Sequence, residues 1–256
     1  MTLNLPIKGN LRLKAMVDRI AENEQLNTYW DCSNVNAIDR MGINDHGPIH
    51  IKIVANLALK LLRLIVETGV PPSITADYGL DQDDAEVVIV LAACLHDIGH
   101  IVQRPDHEAF SVSLAPELLE KLLDGIYDER VKSIVKSEVL HAIYAHKMEA
   151  QPLTLEAGVL KVADALDMEK GRARIPFEKG DVTIHSISAF AIEKVRVKRG
   201  ATKPIRIEIE MSNSAGIFQL DNLLKKKLQN SGVKQYFEIR ARVVGEEKKI
   251  MEHYEL

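Results

Sequence analysis

Apolar positions recur every three or four residues along most of this chain. Ile49, Ile53, Leu57, Leu61 and Leu64 form one row, with Val54, Ala58, Leu62 and Ile65 beside it. That is the stripe of an amphipathic helix, about Asp45 to Thr68, stopped by Gly69 and Pro71-Pro72. The same spacing predicts a helix over about Asp83–Gly99 with Asp81 or Asp83 as its cap, and another over Asp106–Leu123 with Gly125 as its stop. Two more follow, over Asp128–Lys147 and over Leu155–Gly171, the latter between a Thr154 N-cap and a Gly171 C-cap. Helical periodicity runs from Leu11 to about Arg172.

After Pro176 the period falls to two. Ala191–Lys198 and Ile205–Glu210 alternate apolar with charged residues, as half-buried strands do, and join near Gly200. Phe218–Leu228 reads as a helix, Phe237–Val244 as a strand, and Ile250–Leu256 as a further strand. The expected fold class is α+β: a helical domain over residues 1–175, then a small α/β layer (β-β-α-β) over 176–256, divided near Pro176–Gly180.

Composition adds bounds. At 256 residues and 46% hydrophobic, the chain has material for a sizeable core. The N-terminus has no long apolar run, and the longest apolar stretch, Val87–Leu95, is too short to span a bilayer. Cys32 and Cys94 form no CxxC pair, which fits a reducing compartment, so a cytoplasmic protein without membrane association is expected. Net charge is −4, yet residues 176–256 carry 15 Lys and Arg against 11 Asp and Glu. This mild basicity, with few aromatics and no RNP-like pattern, does not favour nucleic acid as the partner; a homodimer interface is an equal use of the layer. Ser212-Asn213-Ser214 and Gly216 sit where a strand passes into a helix, which reads first as capping and second as an anion cradle. Walker, GxGxxG and GxSxG motifs are absent.

Candidate chemistry lies in the helical region. Seven of nine histidines fall between positions 46 and 146. His96-Asp97 ends an otherwise apolar helix, where an imidazole and a carboxylate are costly to bury unless something satisfies them; a divalent metal does so. His46 and His50 are four apart, as are His96 and His100, so each pair is expected to share a helix face. His107, His141 and His146 follow on later helices, and Asp164 interrupts the apolar run Val159–Leu166. His107 and His141 read as second-metal ligands or phosphate donors. Imidazoles with carboxylates suit Mn, Fe, Co, Ni or Zn, as one ion or two. Arg104, Lys147, Lys161, Lys170, Arg172 and Arg174 are nearby cations; with His146, the substrate-binding candidates are Lys161, Arg104 and Arg172.

Three motifs in order carry a family resemblance: His50-Ile-Lys-Ile-Val54-Ala55, His96-Asp97-Ile-Gly-His100, and Val162-Ala-Asp164-Ala-Leu-Asp167. Over about residues 42–172 the set resembles the HD-domain superfamily of metal-dependent phosphohydrolases. The resemblance implies an all-helical HD-type bundle in which His50, His96, Asp97 and Asp164 bind one metal, while His107 and His141 match the extra histidines of two-metal members. His46 stands where some of those members place a carboxylate. The implied activity is hydrolysis of a phosphomonoester or phosphodiester in a phosphorylated small molecule or nucleotide, with Asp97 as the catalytic group touching metal and attacking water. A regulatory module with structural metal and a di-iron oxygenase on the same fold are the alternatives.

Overall fold

The computed structural model describes residues 1–171 and 184–247. Helices α1 (Leu11–Glu22) and α2 (Glu24–Asn34) lead into a π-helical turn, Val35–Arg40. Then come α3 (Pro48–Val66), the short α4 (Ser73–Tyr78) and α5 (Gln82–Leu95). A 3-10 turn, Ile98–Ile101, precedes α6 (His107–Leu123), α7 (Glu129–Ala145) and α8 (Leu155–Leu166). After α9 (Ile184–Phe190), strands β1 (Ile192–Arg199) and β2 (Ile205–Met211) pair antiparallel. Helix α10 (Gly216–Gln219) continues through a π-helical turn, Leu220–Lys225, into α11 (Lys226–Gln229), and β3 (Phe237–Val243) pairs parallel with β2. The sheet order is β1-β2-β3, so the expected β-β-α-β run is present. The further strand expected over Ile250–Leu256, and the boundary at Pro176–Gly180, lie outside the described residues.

Helix α5 is the axis of the bundle. Every residue from Asp84 to Leu95 is buried, which explains why its apolar run shows no polar face. α3, α7 and α8 pack around it, and α1 closes one end. Its start is fixed by a capping box: Asp81 accepts from the Asp84 N–H while Asp84 accepts from the Asp81 N–H. Side chains buried against it are satisfied in pairs. Trp30 Nε1 donates to the Cys94 carbonyl at 2.8 Å, and Arg63 donates to both oxygens of Glu86 at 2.6 and 2.7 Å.

The C-terminal layer shares this core. Ile205, Ile207, Ile209 and Met211 of β2 bury alternate positions, and Leu224, Leu228 and Phe237 join the same apolar cluster as the bundle. The close seating depends on Gly158 of α8, where a Cβ would lie 2.3 Å from the Ser231 carbonyl oxygen. The outer sheet face is a charge ladder: Glu210 lies 2.8 Å from Arg196 and 2.7 Å from Arg242, Glu208 lies 2.6 Å from Lys198, and Glu238 lies 2.6 Å from Arg206. At the strand-to-helix turn, Glu247 accepts from the Ser214 backbone N–H, and Asn213 Oδ1 accepts from the Ala215 N–H. The chain's own groups thus cap this turn.

Two helix ends differ from expectation. α5 stops at Leu95 rather than Gly99, with Asp97 at φ −108°, ψ 2° outside helical geometry. α8 stops at Leu166 rather than at Gly171, because Asp167 leaves the helix and its carboxylate turns back to His50.

Candidate metal centre

Five separated segments meet at one end of α5. His96 is the last residue before the chain bends, and Ser111 of α6 clamps the bend. The Gly99 N–H donates to Ser111 Oγ at 2.8 Å, and the Ser111 hydroxyl donates to the His96 carbonyl at 2.6 Å. Gly99 cannot carry a side chain here, since a Cβ would sit 2.0 Å from the His107 carbonyl oxygen. α6 therefore approaches closely enough to bring His107 to the bend.

Four imidazoles are oriented in one way. Nδ1 of His96 meets the Ala93 carbonyl at 2.8 Å, Nδ1 of His107 the Arg104 carbonyl at 2.9 Å, and Nδ1 of His146 the Ile143 carbonyl at 2.5 Å. His50 Nδ1 lies 2.6 Å from Asp167 Oδ2. A carbonyl or carboxylate only accepts, so each Nδ1 carries the proton and each Nε2 presents a lone pair. Those lone pairs converge: His50 and His96 Nε2 are 3.3 Å apart, and His107 and His146 Nε2 are 3.2 Å apart. Two acceptors facing each other repel unless a proton or cation lies between them. Donors at ~2.0–2.2 Å from one ion stand roughly 3–3.5 Å apart, so the spacing fits a shared metal.

Asp97 divides its carboxylate between the two pairs. Oδ2 is 3.3 Å from His50 Nε2 and 3.4 Å from His96 Nε2, while Oδ1 is 3.3 Å from His107 Nε2 and 3.7 Å from His146 Nε2. Asp164 Oδ1 completes the first group at 3.4 Å from His50 and 3.8 Å from His96. His100 adjoins the second, with Nε2 3.8 Å from Asp97 Oδ1. It is fully buried and among the described residues neither ring nitrogen has a hydrogen-bond partner, an orphan of the kind a ligand set contains. The donor set therefore fits one ion among His50, His96, Asp97 and Asp164, and a second among Asp97, His107 and either His146 or His100.

The electrostatics agree. Burial alone would raise the Asp97 carboxyl, but the surrounding imidazoles of His96, His46 and His107 outweigh it and hold it well below the usual carboxylate range. Asp164 is likewise raised by burial and lowered further by Lys227, His50 and His96. Burial pushes His100 down to about 4 and His146 well below the ordinary histidine value, so both stay neutral and able to ligate.

Several candidates take different places from those expected. His46 precedes α3 instead of lying on it, since Gly47 is the cap and Pro48 the first helical residue. Asn34 Oδ1 accepts its N–H at 2.9 Å, and its Nδ1 lies 2.8 Å from Asp97 Oδ2. His141 does not join the cluster: its Nε2 accepts from the Leu153 N–H at 3.0 Å, on another side of α7. His146, expected to touch substrate, stands among the converging donors, because α7 ends at Ala145 and frees it to turn inward. Lys161, expected to bind substrate, turns to the backbone. Its side chain is fully buried and Nζ donates to the carbonyls of Lys147, Met148 and Ala150 at 2.6, 3.1 and 2.5 Å. Burial lowers this ammonium to about 8, and it fastens the turn after His146. Lys147 pairs with Asp106 at 2.6 Å. Arg104 stands at the rim, with Nη1 3.3 Å from His46 Nε2. Arg172 and Arg174 lie outside the described residues. Ser111, Asp167 and Lys227 were not foreseen in these positions. Asp167 had a signal, three residues after Asp164; Lys227, whose Nζ bonds Asp164 Oδ2, had none.

Among the described residues no helix is long and apolar enough to cross a membrane. No solved structure matches the chain. An uncharacterized protein of Methanocaldococcus jannaschii is 45% identical over 230 residues, covering 90% of this chain and 89% of its own length. The model of the HD domain matches residues 48–169, from the start of α3 to just beyond α8, and so encloses every donor of the two groups. With histidines and aspartates at its motif positions converging at one end of α5, the chain belongs to the HD-domain superfamily, whose members are generally metal-dependent hydrolases.

Proposed function

We propose that this protein is a phosphohydrolase that cleaves a phosphomonoester or phosphodiester bond in a nucleotide-like small molecule, using divalent metal held by His50, His96, Asp97, Asp164, His107, His146 and His100. The observation that carries the reading is the split carboxylate of Asp97, one oxygen facing each pair of converging imidazoles. Bound there, divalent metal lowers the pKa of water toward ~7 and offsets charge on phosphoryl oxygens. The residues of the chain do the rest. Asp97 stays ionised at neutral pH and accepts a hydrogen bond from the attacking water at a carboxylate oxygen, which orients it. His46 donates to Asp97 and fixes its rotation. Arg104 offers a guanidinium at the rim, suited to a phosphate oxygen. Asp167, Ala93, Arg104 and Ile143 hold the imidazole tautomers through the Nδ1 contacts.

The test is elemental analysis of the purified protein, then a panel of phosphate esters with Mn, Fe, Co, Ni or Zn added back. We expect hydrolysis that depends on the metal, and its loss in Asp97→Ala with helical circular dichroism retained. Hydrolysis undiminished in Asp97→Ala, or none with any metal-loaded sample, overturns the reading.

A further inference from the structure

Two buried lysines stand near the centre, and they are satisfied differently. All three hydrogens of the Lys161 ammonium are taken by backbone carbonyls. Lys227 is 8% exposed, and among the described residues its Nζ has a single acceptor, Asp164 Oδ2. The other Asp164 oxygen faces His50 and His96. A nearly buried ammonium thus reaches the first metal group from 63 residues further along the chain, with two donors uncommitted.

Its position is built. Lys225 and Lys226, the preceding residues, turn outward to Asp221 and Asn222 of their own helix at 3.0 and 2.9 Å. The π-helical turn Leu220–Lys225 shifts the helical phase just before Lys227, and such turns recur at functional sites. Beyond it, Asn230 Nδ2 donates to the carbonyls of Met148 and Ala150 at 3.0 and 3.1 Å, which fastens the end of α11 to the turn after His146. A lone buried Lys–Asp pair recovers little against its desolvation cost, so stability alone is a weak reason for this one.

We propose that Lys227 is a phosphate-binding residue, donating from Nζ to an anionic oxygen of a substrate seated against the His50–His96–Asp164 group. The inference rests on the phosphohydrolase reading and extends it: the C-terminal layer supplies part of the active site. Arg104 beside His46 and Lys227 beside Asp164 then flank the ligand set with positive charge on two sides.

The experiment uses the full chain, metal-loaded, with inorganic phosphate as the probe. Phosphate affinity is measured by calorimetry and by competition with hydrolysis, and metal content is measured on the same samples. Lys227→Met and Lys227→Gln are expected to weaken phosphate binding roughly 10–100-fold with metal content unchanged, the loss of one charge-assisted hydrogen bond. Lys227→Arg should recover most of the affinity, and Lys226→Met should match the wild type. Phosphate affinity within twofold of wild type in both neutral variants overturns the proposal. So does loss of metal from them, which would make Lys227 a positioner of Asp164. Should one neutral variant fail to fold, the other and the Arg variant decide. Wild-type metal-loaded protein that binds no phosphate would instead overturn the phosphohydrolase reading itself.

Discussion

Ser111→Ala isolates what holds the His96–Asp97 bend. The hydroxyl is fully buried and makes two bonds, accepting from the Gly99 N–H at 2.8 Å and donating to the His96 carbonyl at 2.6 Å. Truncation leaves one buried donor and one buried acceptor without their partner, at ~1–3 kcal/mol each. Dropping the desolvation of the hydroxyl itself recovers part of this, so a net loss of about 2–4 kcal/mol is expected. For a chain of this size that corresponds to a fall in Tm of roughly 5–12 °C. The assay is urea and thermal unfolding of metal-free protein, with metal titration alongside. Ser113→Ala is the control: that serine is exposed, bonds only the Ala109 carbonyl at 3.0 Å, and should shift stability by no more than ~0.5 kcal/mol. The same residue also positions donors, so metal affinity should fall together with stability. A Ser111→Ala protein within 0.5 kcal/mol of wild type (~0.5 is the scatter of neutral surface changes) would refute the claim that this hydroxyl holds the bend.

His146→Ala should lower bound metal by about one ion per chain and cut hydrolysis at least ~100-fold, whereas His141→Ala should leave metal content intact, as elemental analysis of both variants would show. Glu138→Gln should raise Tm at pH 8 and leave it unchanged at pH 4. Burial and the charge of Glu156 raise the Glu138 carboxyl, so its ionisation is costly in the folded state; that stability is complete below the unfolded value of 4.5 and is lost as pH rises through the raised one. A Tm gain of equal size at both pH values would refute the assignment. Lys161→Met should free the turn at Lys147–Ala150, seen as faster amide exchange there, and should also lower Tm.

The periodicity of apolar residues was enough to place α3, α5, α6, α7 and α8, each burying one face or enclosed on all sides, and apolar-charged alternation placed the three described strands, although β3 buries only Phe237. Caps at Asp81 and Thr154 were legible since their partners lie three residues away. Ends set by tertiary contact were not: α8 stops where Asp167 reaches His50, a partner 117 residues away. At the centre, the three motifs pointed to His50, His96, Asp97 and Asp164, which the structure brings together. The exchange of His141 for His146 was hidden because a 3.6 period gives spacing along a helix but not its rotation against neighbours, and His146 lies just past the helix end. The direction Lys161 takes, one turn before Asp164, is hidden for a related reason. A lysine at ligand-like spacing is equally able to reach backbone carbonyls, and three of them lie in the turn beside it. Lys227 belongs to a stretch whose local pattern suggests only a solvated helix.

The crossover that makes β3 parallel to β2 also decides when the centre can exist. The imidazoles come from residues scattered between His46 and His146, Asp164 follows, and the ammonium against it is seated by a helix lying between the two strands of the parallel pair. The densest stretch, residues 96–107, carries four of these donors, and the others come from three separate parts of the chain. Full denticity is therefore a property of the finished topology: a nascent or half-unfolded chain can hold a cation only loosely, and tight loading marks molecules that have completed their fold.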